Sequence, residues 1–542
     1  MHLSLKPLSV SLRLSTLLLL LLSCRTVFSE AMLQYFNTDW AEITRKMPEL
    51  AEAGYSSLWL PPPTKGSGGL SVGYDLWDPF DLGSKNQRNT VRTRYGTEAE
   101  LLELVKTAHR FGIRVYFDNI MNHRAFDIPG YNEDTPIDVY PGMVPEDFHL
   151  QTTQEGFYRK WNNTRDWNSA WQVQNLGLAD LIDIAQEPGT TNYNFGPTEG
   201  STFPKIKFIR DLDRPEQYAY DKDDNYIGFG GLLPLAEGLL NDEGNPTPSE
   251  AQIKARAQQY LQDNAGDYEE YVQDYLNRAA RWLMDRTHAD GLRLDAVKHA
   301  QADFFGATFG EDKDSSNYGY LGQVQVQYNL TRGFTDWNNH RDTVFDTEAP
   351  RDDAMVFGEH LGEPPGYAPY FDAGMRLVDN PLRTEFNSRL GSPWNGLYGF
   401  DNSGAGGFDP ALTVMHAQSH DNDYASRREL QHAMYFTRAG LGLLYTDGNY
   451  QAETLGESGG AFPRHANTSF LGQWDDARVP NILYIHEQFA RGYQLGKYSD
   501  SDVVIYERMD KRENGSMTDA DGVTMLFMLN DDYSTGHGRN FG

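Results

Sequence analysis

The sequence contains very little cysteine and far fewer basic than acidic residues. A single cysteine, Cys24, occurs among 542 residues, which excludes a framework of disulfide bonds. Lys and Arg together number 47, against 77 Asp and Glu, so the formal net charge is −30. Nucleic acid is therefore not expected as a partner, because neutralising phosphates requires an excess of clustered Lys and Arg.

Beyond residue 30 the sequence also lacks a long apolar run. No stretch there approaches the roughly 18 consecutive apolar residues of a membrane-spanning helix, so we expect the mature chain to be soluble. With 39% hydrophobic and 13% aromatic residues it can bury a large core, which excludes a wholly disordered chain. Its length suits a barrel of roughly 200–400 residues with additional domains.

The N-terminal segment has the features of an export signal. Basic residues precede the leucine-rich run Leu14–Leu22, which is too short to span a bilayer comfortably. Residues Val27–Ser29 fit ordinary secretory cleavage, whereas Leu21–Cys24 is similar to a bacterial lipoprotein box with a lipid on Cys24. An uncleaved membrane anchor is a third interpretation. We expect residues 1–29 to be a signal peptide, and the protein to be secreted or lipid-anchored on a bacterial cell envelope.

Strands and helices alternate in the first part of the mature chain. Short apolar runs at Met32–Phe36, Ser56–Leu60 and Ile113–Phe117 predict strands. The pair Thr97 and Glu100 forms a capping box, which predicts the start of a helix between two of these strands. The alternation predicts a parallel sheet covered by helices.

Five later apolar runs bring the number of predicted strands to eight. They are Leu292–Leu294, Met355–Phe357, Met375–Val378, Leu412–Met415 and Gly442–Tyr445. Eight strands separated by helices close a (β/α)8 TIM barrel, which is the α/β fold that we predict. Residues 30–123 and 267–495 are assigned to it.

Two regions interrupt or follow the barrel pattern. Residues 124–266 are rich in Asn, Asp, Gly, Pro and aromatics and show no sustained period. So long a loop is implausible in a compact domain, so we predict an inserted, irregular subdomain after strand 3. Strands predicted at Val503–Tyr506 and Val523–Leu529 indicate a small C-terminal antiparallel β domain over residues 496–542.

Charged side chains follow several predicted strands. In the run Gly291–Asp295, alternation directs Arg293 and Asp295 to the barrel interior. The carboxyl end of a barrel strand is where barrel enzymes keep their active sites, and Arg293 is expected to hold Asp295 ionised. A purely structural Arg–Asp pair is the alternative for this run considered alone.

The same arrangement recurs after three other strands. Glu359 follows one predicted strand, the pair His420 and Asp421 follows another, and Asp118 ends the third strand of the chain. A single acid at a strand end is common and explains little. Four polar clusters at four strand ends of one barrel are hard to explain structurally, so they predict an active site.

These motifs carry a resemblance to a known family. The order Asp118…Asn122-His123, then Gly291–His299, then Glu359, then His420-Asp421 resembles the α-amylase family of glycoside hydrolases. The runs Gly73–Trp77 and Thr90–Thr97 are similar to the bacterial liquefying-type amylases in particular. The resemblance spans roughly residues 32 to 491, interrupted by the insertion.

The resemblance implies a role for each of three acids. Asp295 matches the nucleophile that forms a covalent glycosyl-enzyme, Glu359 the general acid/base, and Asp421 the carboxylate that stabilises the oxocarbenium-like transition state. Retaining hydrolysis requires two carboxyl groups ~5–5.5 Å apart. Opposite walls of a narrow barrel mouth can supply this separation.

The resemblance also implies a set of substrate-binding residues. Around the sugar at the cleavage point these are Arg293, His123, His420 and, as an aromatic platform, Tyr74. Lys298 and His299 match the α-1,4-acting amylases, although they are also readable as plain loop residues. Three tryptophans of the insertion fit stacking on sugars and packing of the subdomain equally well: Trp161, Trp167 and Trp171.

Calcium is the cofactor that the resemblance implies. By match to the family, Asn122, Asp180 and the carbonyl of His299 are expected to bind it between the barrel and the insertion. Hard cations take several oxygen ligands of this kind.

The sequence therefore predicts a retaining, endo-acting α-1,4-glucan hydrolase that degrades starch or glycogen. A maltooligosaccharide-forming or transglycosylating relative is the alternative within the family. A non-catalytic glucan-binding relative is disfavoured because Asp295, Glu359 and Asp421 are all present. The expected partner is an α-glucan, and no protein partner is implied.

Overall fold

The computed structural model describes most of the barrel and parts of the insertion. The described residues are 30–125, 140–143, 147–149, 151–152, 158–160, 163–179, 181–186, 190–191, 203–204, 207–208, 218, 221, 227–264, 269–270, 272–306, 319–332, 354–389, 399–400, 412–422, 428–447, 478–509 and 522–532. The predicted signal peptide with Cys24, the proposed metal ligand Asp180 and the side chain of Trp161 lie outside them.

Eight parallel strands close into a barrel, which confirms the predicted fold. In chain order they are β1 (Ala31–Tyr35), β2 (Ser57–Leu60), β3 (Arg114–Asn119), β4 (Gly291–Leu294), β5 (Met355–Gly358), β6 (Arg376–Val378), β7 (Thr413–His416) and β8 (Leu441–Thr446). Each strand pairs with its neighbours in the chain order, and β8 pairs with β1. Every barrel strand overlaps a run that the sequence predicts.

The strands separate an inner from an outer core. Tyr116 and Phe357 belong to the cluster inside the barrel, whereas Leu292 and Leu294 pack with the surrounding helices. Arg293, between the two leucines, therefore faces the interior, as alternation predicts.

Helices surround the barrel and follow the strands. They are α1 (Trp40–Ala53), α2 (Glu98–Arg110), α3 (Ala170–Asn175), α4 (Leu232–Asp242), α5 (Glu250–Asp263), α6 (Val272–Thr287), α7 (Ala302–Phe305), α8 (Gly319–Thr331), α9 (Ala368–Asp372), α10 (Asn380–Arg389), α11 (Arg428–Tyr435) and α12 (Arg478–Phe489). The predicted capping box forms at the start of α2, where the hydroxyl of Thr97 accepts from the N–H of Glu100 at 3.4 Å. None of the described helices is long and apolar enough to cross a bilayer.

The insertion is attached to the barrel directly beside the predicted site. Its strand His123–Ala125 pairs antiparallel with the strand Leu181–Asp183. Further short strands in this region are Gln151–Thr152, Tyr158–Lys160, Thr190–Thr191, Phe203–Pro204 and Lys207–Phe208, the last of which pairs with Glu269–Glu270.

Helices α4 and α5 of the insertion differ from the irregular structure that the sequence predicts there. The two helices pack together around a small separate core that includes Leu232, Ala257 and Leu261. Only two residues of α5 are buried, so its apolar period is too weak to stand out. Its start at Ser249 is nevertheless a capping box with Gln252, a signal that the sequence does carry.

The C-terminal part forms a three-stranded antiparallel sheet. Its strands are β9 (Tyr493–Ser499), β10 (Val503–Met509) and β11 (Val523–Asn530). The sequence predicts β10 and β11 but not β9, whose residues are half-buried or exposed and include Gly496.

Candidate active site

The predicted catalytic carboxylates lie at the carboxyl ends of neighbouring strands. Asp295 directly follows β4 and Glu359 directly follows β5, and these two strands pair with each other. The interpretation that opposite walls of the barrel supply them is therefore wrong. Both acids nevertheless lie at the same end of the barrel, where a glycosidic oxygen can meet both.

The main chain fixes the ends of these two strands to each other. The N–H of Glu359 donates to the carbonyl of Leu294 at 2.9 Å, and the N–H of Val297 donates to the carbonyl of Glu359 at 3.1 Å. Ala296 has a left-handed conformation with φ of 50°, and its N–H donates to Oε2 of Glu359 at 3.1 Å. The chain after β4 thus turns back to hold the side chain that follows β5.

A single buried guanidinium connects three acids. Nη1 of Arg293 lies 2.7 Å from Oδ1 of Asp118 and 2.7 Å from Oδ1 of Asp295. Nη2 lies 3.0 Å from Oε2 of Glu359. Trp59 covers the guanidinium, with its ring centroid 5.1 Å from the guanidinium carbon. Arg293 therefore sets the relative position of both predicted catalytic carboxylates.

Burial and shared charge decide the protonation of these acids. Burial, with the negative charges of Glu359 and Asp118, raises the pKa of Asp295 well above its usual range despite Arg293. Burial also acts to raise the pKa of Glu359, but Arg293 and the N–H of Ala296 lower it overall. Three carboxyl groups share one cation, so Arg293 lowers the pKa of Asp295, as the sequence predicts, but offsets the effect of burial only in part.

The third predicted catalytic acid, Asp421, lies in a turn after β7. Its N–H donates to Oγ of Ser419 at 3.3 Å, and its Oδ2 lies 3.1 Å from Nε2 of His420. Its carboxyl group also shares a hydrogen bond with that of Glu359, and burial followed by the charge of Glu359 raises the pKa of Asp421 to about 6. All three predicted catalytic acids are thus brought into one cluster.

Tyr74 joins this cluster from the loop after β2. Its hydroxyl donates to Oδ2 of Asp118 at 2.8 Å and lies 2.8 Å from Nε2 of His420. The rings of Tyr74 and His420 are parallel, with centroids 5.4 Å apart. Nδ1 of His420 lies 2.7 Å from Nε2 of Gln34 on β1.

His123 lies beside the predicted nucleophile. Its Nε2 donates to the carbonyl of Tyr74 at 3.0 Å and lies 3.8 Å from Oδ2 of Asp295. Burial lowers the pKa of His123 to about 3, so the ring is neutral at neutral pH. A neutral ring can hydrogen-bond a sugar hydroxyl without adding a charge.

Lys298 and His299 border the cleft beside the insertion. They belong to the short 3₁₀ turn Val297–His299. Nδ1 of His299 donates to the carbonyl of Val173 at 2.7 Å, and Nζ of Lys298 lies 5.4 Å from the ring centroid of Trp167. Trp167 is 47% exposed, whereas the ring of His299 is buried below it.

These residues surround one open cleft of about 300 Å³. Every predicted catalytic and substrate-binding residue lines it except Arg293, which lies beneath its floor. Of the two insertion tryptophans that the structure describes, Trp167 lines the cleft, where its ring can stack on a sugar, and Trp171 does not.

Two polar residues of the site are absent from the predicted set. Asp118 and Gln34 are both buried and bind the cluster from β3 and β1. The sequence places Asp118 within a motif, and its alternation with Tyr116 on β3 is the signal for its inward direction. Gln34 gives no such signal, because its partner His420 is 386 residues away.

The predicted metal ligands are only partly described. Asn122 is fully buried, and one atom of its amide has no hydrogen-bond partner, while the other lies 3.4 Å from Nε2 of Gln186. The amide oxygen accepts this one hydrogen bond and has a second lone pair, so Asn122 can still serve as a cation ligand. Among the described residues, no three His, Cys, Asp or Glu side chains converge as a metal site.

Comparison with known sequences gives partial matches. A family model described as alpha amylase, catalytic domain, matches residues 28–177. The α-amylase of Geobacillus stearothermophilus is 27% identical over 291 residues, which cover 51% of this chain and 44% of that protein. A cytoplasmic α-amylase of Escherichia coli K12 is 30% identical over 294 residues, covering 51% of this chain and 48% of that protein. The chain thus spans about half the length of these relatives.

Comparison with solved structures supports the same fold. The α-amylase I of Eisenia fetida aligns with a TM-score of 0.53 at 14% identity, covering 93% of this chain and 84% of that one. An α-amylase from Anoxybacillus aligns with a TM-score of 0.51 at 15% identity, covering 89% and 84%. At such identities the likeness speaks for the fold alone. Together with the motifs around the barrel mouth, the partial matches to the family model and to the curated relatives support the α-amylase family of glycoside hydrolases.

Proposed function

We propose that the protein is a retaining, endo-acting α-1,4-glucan hydrolase acting on starch or glycogen. The observation that carries the proposal is the meeting of Asp295, Glu359 and Asp421 around one cleft, with Arg293 bonded to the first two. Retaining glycoside hydrolysis requires a nucleophile and an acid/base in reach of the same glycosidic bond. The cleft is open to solvent, which suits a polymeric substrate.

The proposed reaction has two steps. In the first, a carboxylate oxygen of Asp295 attacks the anomeric carbon while Glu359 gives its proton to the departing glycosidic oxygen, so one carbon–oxygen bond forms as another breaks. In the second, Glu359 takes a proton from water, whose oxygen attacks the same carbon and releases Asp295. The product keeps the α configuration because the carbon is inverted twice.

Catalysis by this scheme requires the proton to lie on Glu359 and not on Asp295. Burial raises the pKa of Asp295, and Arg293 contacts both acids. The guanidinium can therefore stabilise the ionised form of either acid when the sugar is bound.

The remaining polar residues are proposed to hold the sugar at the cleavage point. Asp421 stabilises the positive charge that develops on the sugar ring, and the neutral rings of His123 and His420 contact its hydroxyls without adding a charge. Tyr74 presents its ring to the sugar from the side of Asp118. Lys298, with Trp167, lies on the insertion side of the cleft, where the leaving part of the chain would bind.

Calcium is part of the proposal. Asn122, Asp180 and the carbonyl of His299 would hold it, and the ion would neutralise and order oxygen ligands where the insertion meets the barrel. Asn122 directly precedes the strand His123–Ala125, which pairs with the strand Leu181–Asp183 of the insertion. The ion would therefore fix the positions of His123 and His299, both of which border the cleft.

Export is proposed on the N-terminal sequence alone. Residues 1–29 would be removed as a signal peptide, or Cys24 would carry a lipid that retains the protein on the cell envelope. Labelling cells with a fatty-acid analogue and comparing Cys24→Ser with the unchanged chain distinguishes the two. Label on the unchanged chain that disappears in C24S supports the anchor, and unlabelled protein in the medium supports secretion.

The activity is tested with purified protein, soluble starch and pullulan. New reducing ends from starch but not from pullulan, with a fall in viscosity before complete hydrolysis, support internal α-1,4 cleavage. Proton NMR of the first products should show the α anomer, whereas the β anomer would contradict retention. Addition of maltose as an acceptor tests the transglycosylating alternative, which predicts longer products at the expense of hydrolysis.

A further inference from the structure

We propose that Gln34 is a positioning residue that fixes His420 as the tautomer with its proton on Nε2. This inference rests on the proposed function, in which His420 borders the sugar at the cleavage point. Gln34 lies on β1, is fully buried, and does not line the cleft. It acts on the substrate only through the histidine ring.

Asp118, Tyr74, His420 and Gln34 form a series of hydrogen bonds. Asp118, at the end opposite Gln34, fixes which partner donates in each of them. Oδ1 of Asp118 accepts from Arg293, while Oδ2 accepts from the indole N–H of Trp59 at 3.4 Å and from the hydroxyl of Tyr74 at 2.8 Å. Two donors on Oδ2 leave no place for a proton on that oxygen. The hydroxyl proton of Tyr74 is therefore committed to Asp118.

The histidine must then act as a donor on its Nε2 side. The hydroxyl oxygen of Tyr74 lies 2.8 Å from Nε2 of His420, and its proton already points to Asp118. Only an N–H on Nε2 makes this contact a hydrogen bond, and the same N–H faces Oδ2 of Asp421 at 3.1 Å. Burial keeps the ring neutral, so Nδ1 carries a lone pair and needs a donor.

Gln34 is the donor that the ring requires. Its Nε2 lies 2.7 Å from Nδ1 of His420, and an amide nitrogen can only donate. The aromatic rings of Phe36 and Trp59 also contact the imidazole, with centroids 4.8 and 5.7 Å away, so they hold its plane but not its proton. The tautomer is thus set by one side chain on β1.

Two substitutions at Gln34 separate the effect of its hydrogen bond from the effect of the volume that its side chain fills. Gln34→Met keeps the size of the side chain and removes the donor. Gln34→Glu keeps the shape and replaces the donor with an acceptor, which should draw the proton to Nδ1. Gln431→Glu is the matched control, because Gln431 is also fully buried but lies on α11 next to Tyr435 and away from the cleft.

The test measures the protonation of the ring nitrogens of His420 and the kinetics of the full-length protein. With ¹⁵N-histidine labelling, and a His420→Asn sample to identify the signal, wild-type protein should show a protonated Nε2 and an unprotonated Nδ1. Gln34→Glu should show a protonated Nδ1, and Gln34→Met a mixture of tautomers. Both should lower kcat/KM on starch about tenfold or more, mainly through kcat, while Q431E should change neither readout.

Several outcomes would overturn the proposal. A protonated Nδ1 in the wild-type protein would reverse the assigned direction. A folded Q34M with the wild-type tautomer and kcat/KM would show that Gln34 does not position the ring. If Q34E does not fold, the result for Q34M alone decides the question. The ¹⁵N readout does not require turnover, so a protein inactive on starch would defeat the proposed function while the tautomer is still decided.

Discussion

At the residue scale the molecule is organised around a shortage of positive charge. Arg293 contacts three acids, Asp118, Asp295 and Glu359, and Asp421 adds a fourth nearby. Burial raises the pKa of Asp295 and of Asp421, and the carboxyl groups of the cluster affect one another. The sequence predicts which residues meet, because strand ends meet at one rim. It does not predict these pKa shifts, because they depend on burial and on shared contacts.

Removal of the proposed nucleophile, Asp295, should abolish turnover without unfolding the protein. Asp295→Asn is expected to lower kcat on starch at least roughly 10³-fold, because no covalent intermediate can form. The thermal midpoint should stay equal or rise, since the change removes a carboxyl group from a crowded acidic cluster.

Asp303→Asn is the matched control for this substitution. Asp303 is exposed on the short helix α7, so the same chemical change there should leave both kcat and the midpoint unchanged. An Asp295→Asn protein that retains a tenth or more of the activity would refute the nucleophile assignment.

The activity should fall on the acid side below about pH 6. Burial and the charge of Glu359 raise the pKa of Asp421 to about 6. Below this pH Asp421 becomes neutral and no longer stabilises the positive charge on the sugar, so kcat/KM should fall up to about tenfold per pH unit. The measured midpoint will belong to the coupled cluster as a whole. Initial rates between pH 4 and 9, on protein shown to be folded at each pH, check this; a flat profile down to pH 4 would refute it.

At the element scale the strands were predictable and some connections were not. The eight barrel strands are short apolar runs between helices, so β1 to β8 could each be predicted. Helices α4 and α5 bury few residues, and β9 has no buried face, so local pattern is weak in all three. The position of Gln34 next to His420 depends on closure of the barrel between β1 and β8, which no local pattern encodes.

The start of α10 should carry a pH-dependent part of the stability. Oδ1 of Asp379 accepts from the N–H of Leu382 at 3.0 Å, and burial raises the pKa of Asp379 to about 6. Because the folded state binds this proton more tightly than the unfolded chain does, stability falls as pH rises from about 4 to about 6. The loss from this group approaches about 3 kcal/mol at neutral pH.

Asp379→Asn should remove that loss, because asparagine caps a helix equally well and does not titrate. Urea unfolding at several pH values should show the variant gaining stability over the wild type as pH rises. Asp372→Asn, at an exposed position, serves as the control, and its free energy of unfolding should change with pH as that of the wild type does. A constant difference between Asp379→Asn and wild type across pH 4–7 would refute the prediction.

At the scale of the whole molecule, the insertion and the barrel share the predicted calcium ligands. Removal of calcium should therefore lower both stability and activity. With calcium at about 100 times its Kd, chelation should cost about 2.7 kcal/mol of unfolding free energy. Thermal unfolding and starch hydrolysis, with chelator and after calcium is returned, measure the effect.

Asn122→Ala should lose this response to chelator, because the ligand is gone. Asn329→Ala changes another buried asparagine, on α8 away from the insertion, and should keep the full response. An unchanged protein whose unfolding and activity ignore the chelator would remove calcium from the proposal.

The linkage between the ends of β4 and β5 has a consequence for how such an enzyme can change. Asp295 and Glu359 move as one body, since the main chain joins Leu294, Val297 and Glu359 directly. Asp421 follows β7 and the insertion follows β3, so neither is part of this linked pair of strands on the other side of the cleft. Under the proposed function, a change that moves Asp421 or the insertion can alter how the polymer binds without altering the distance between the proposed nucleophile and acid/base. Product size and chemical competence are consequently free to evolve apart.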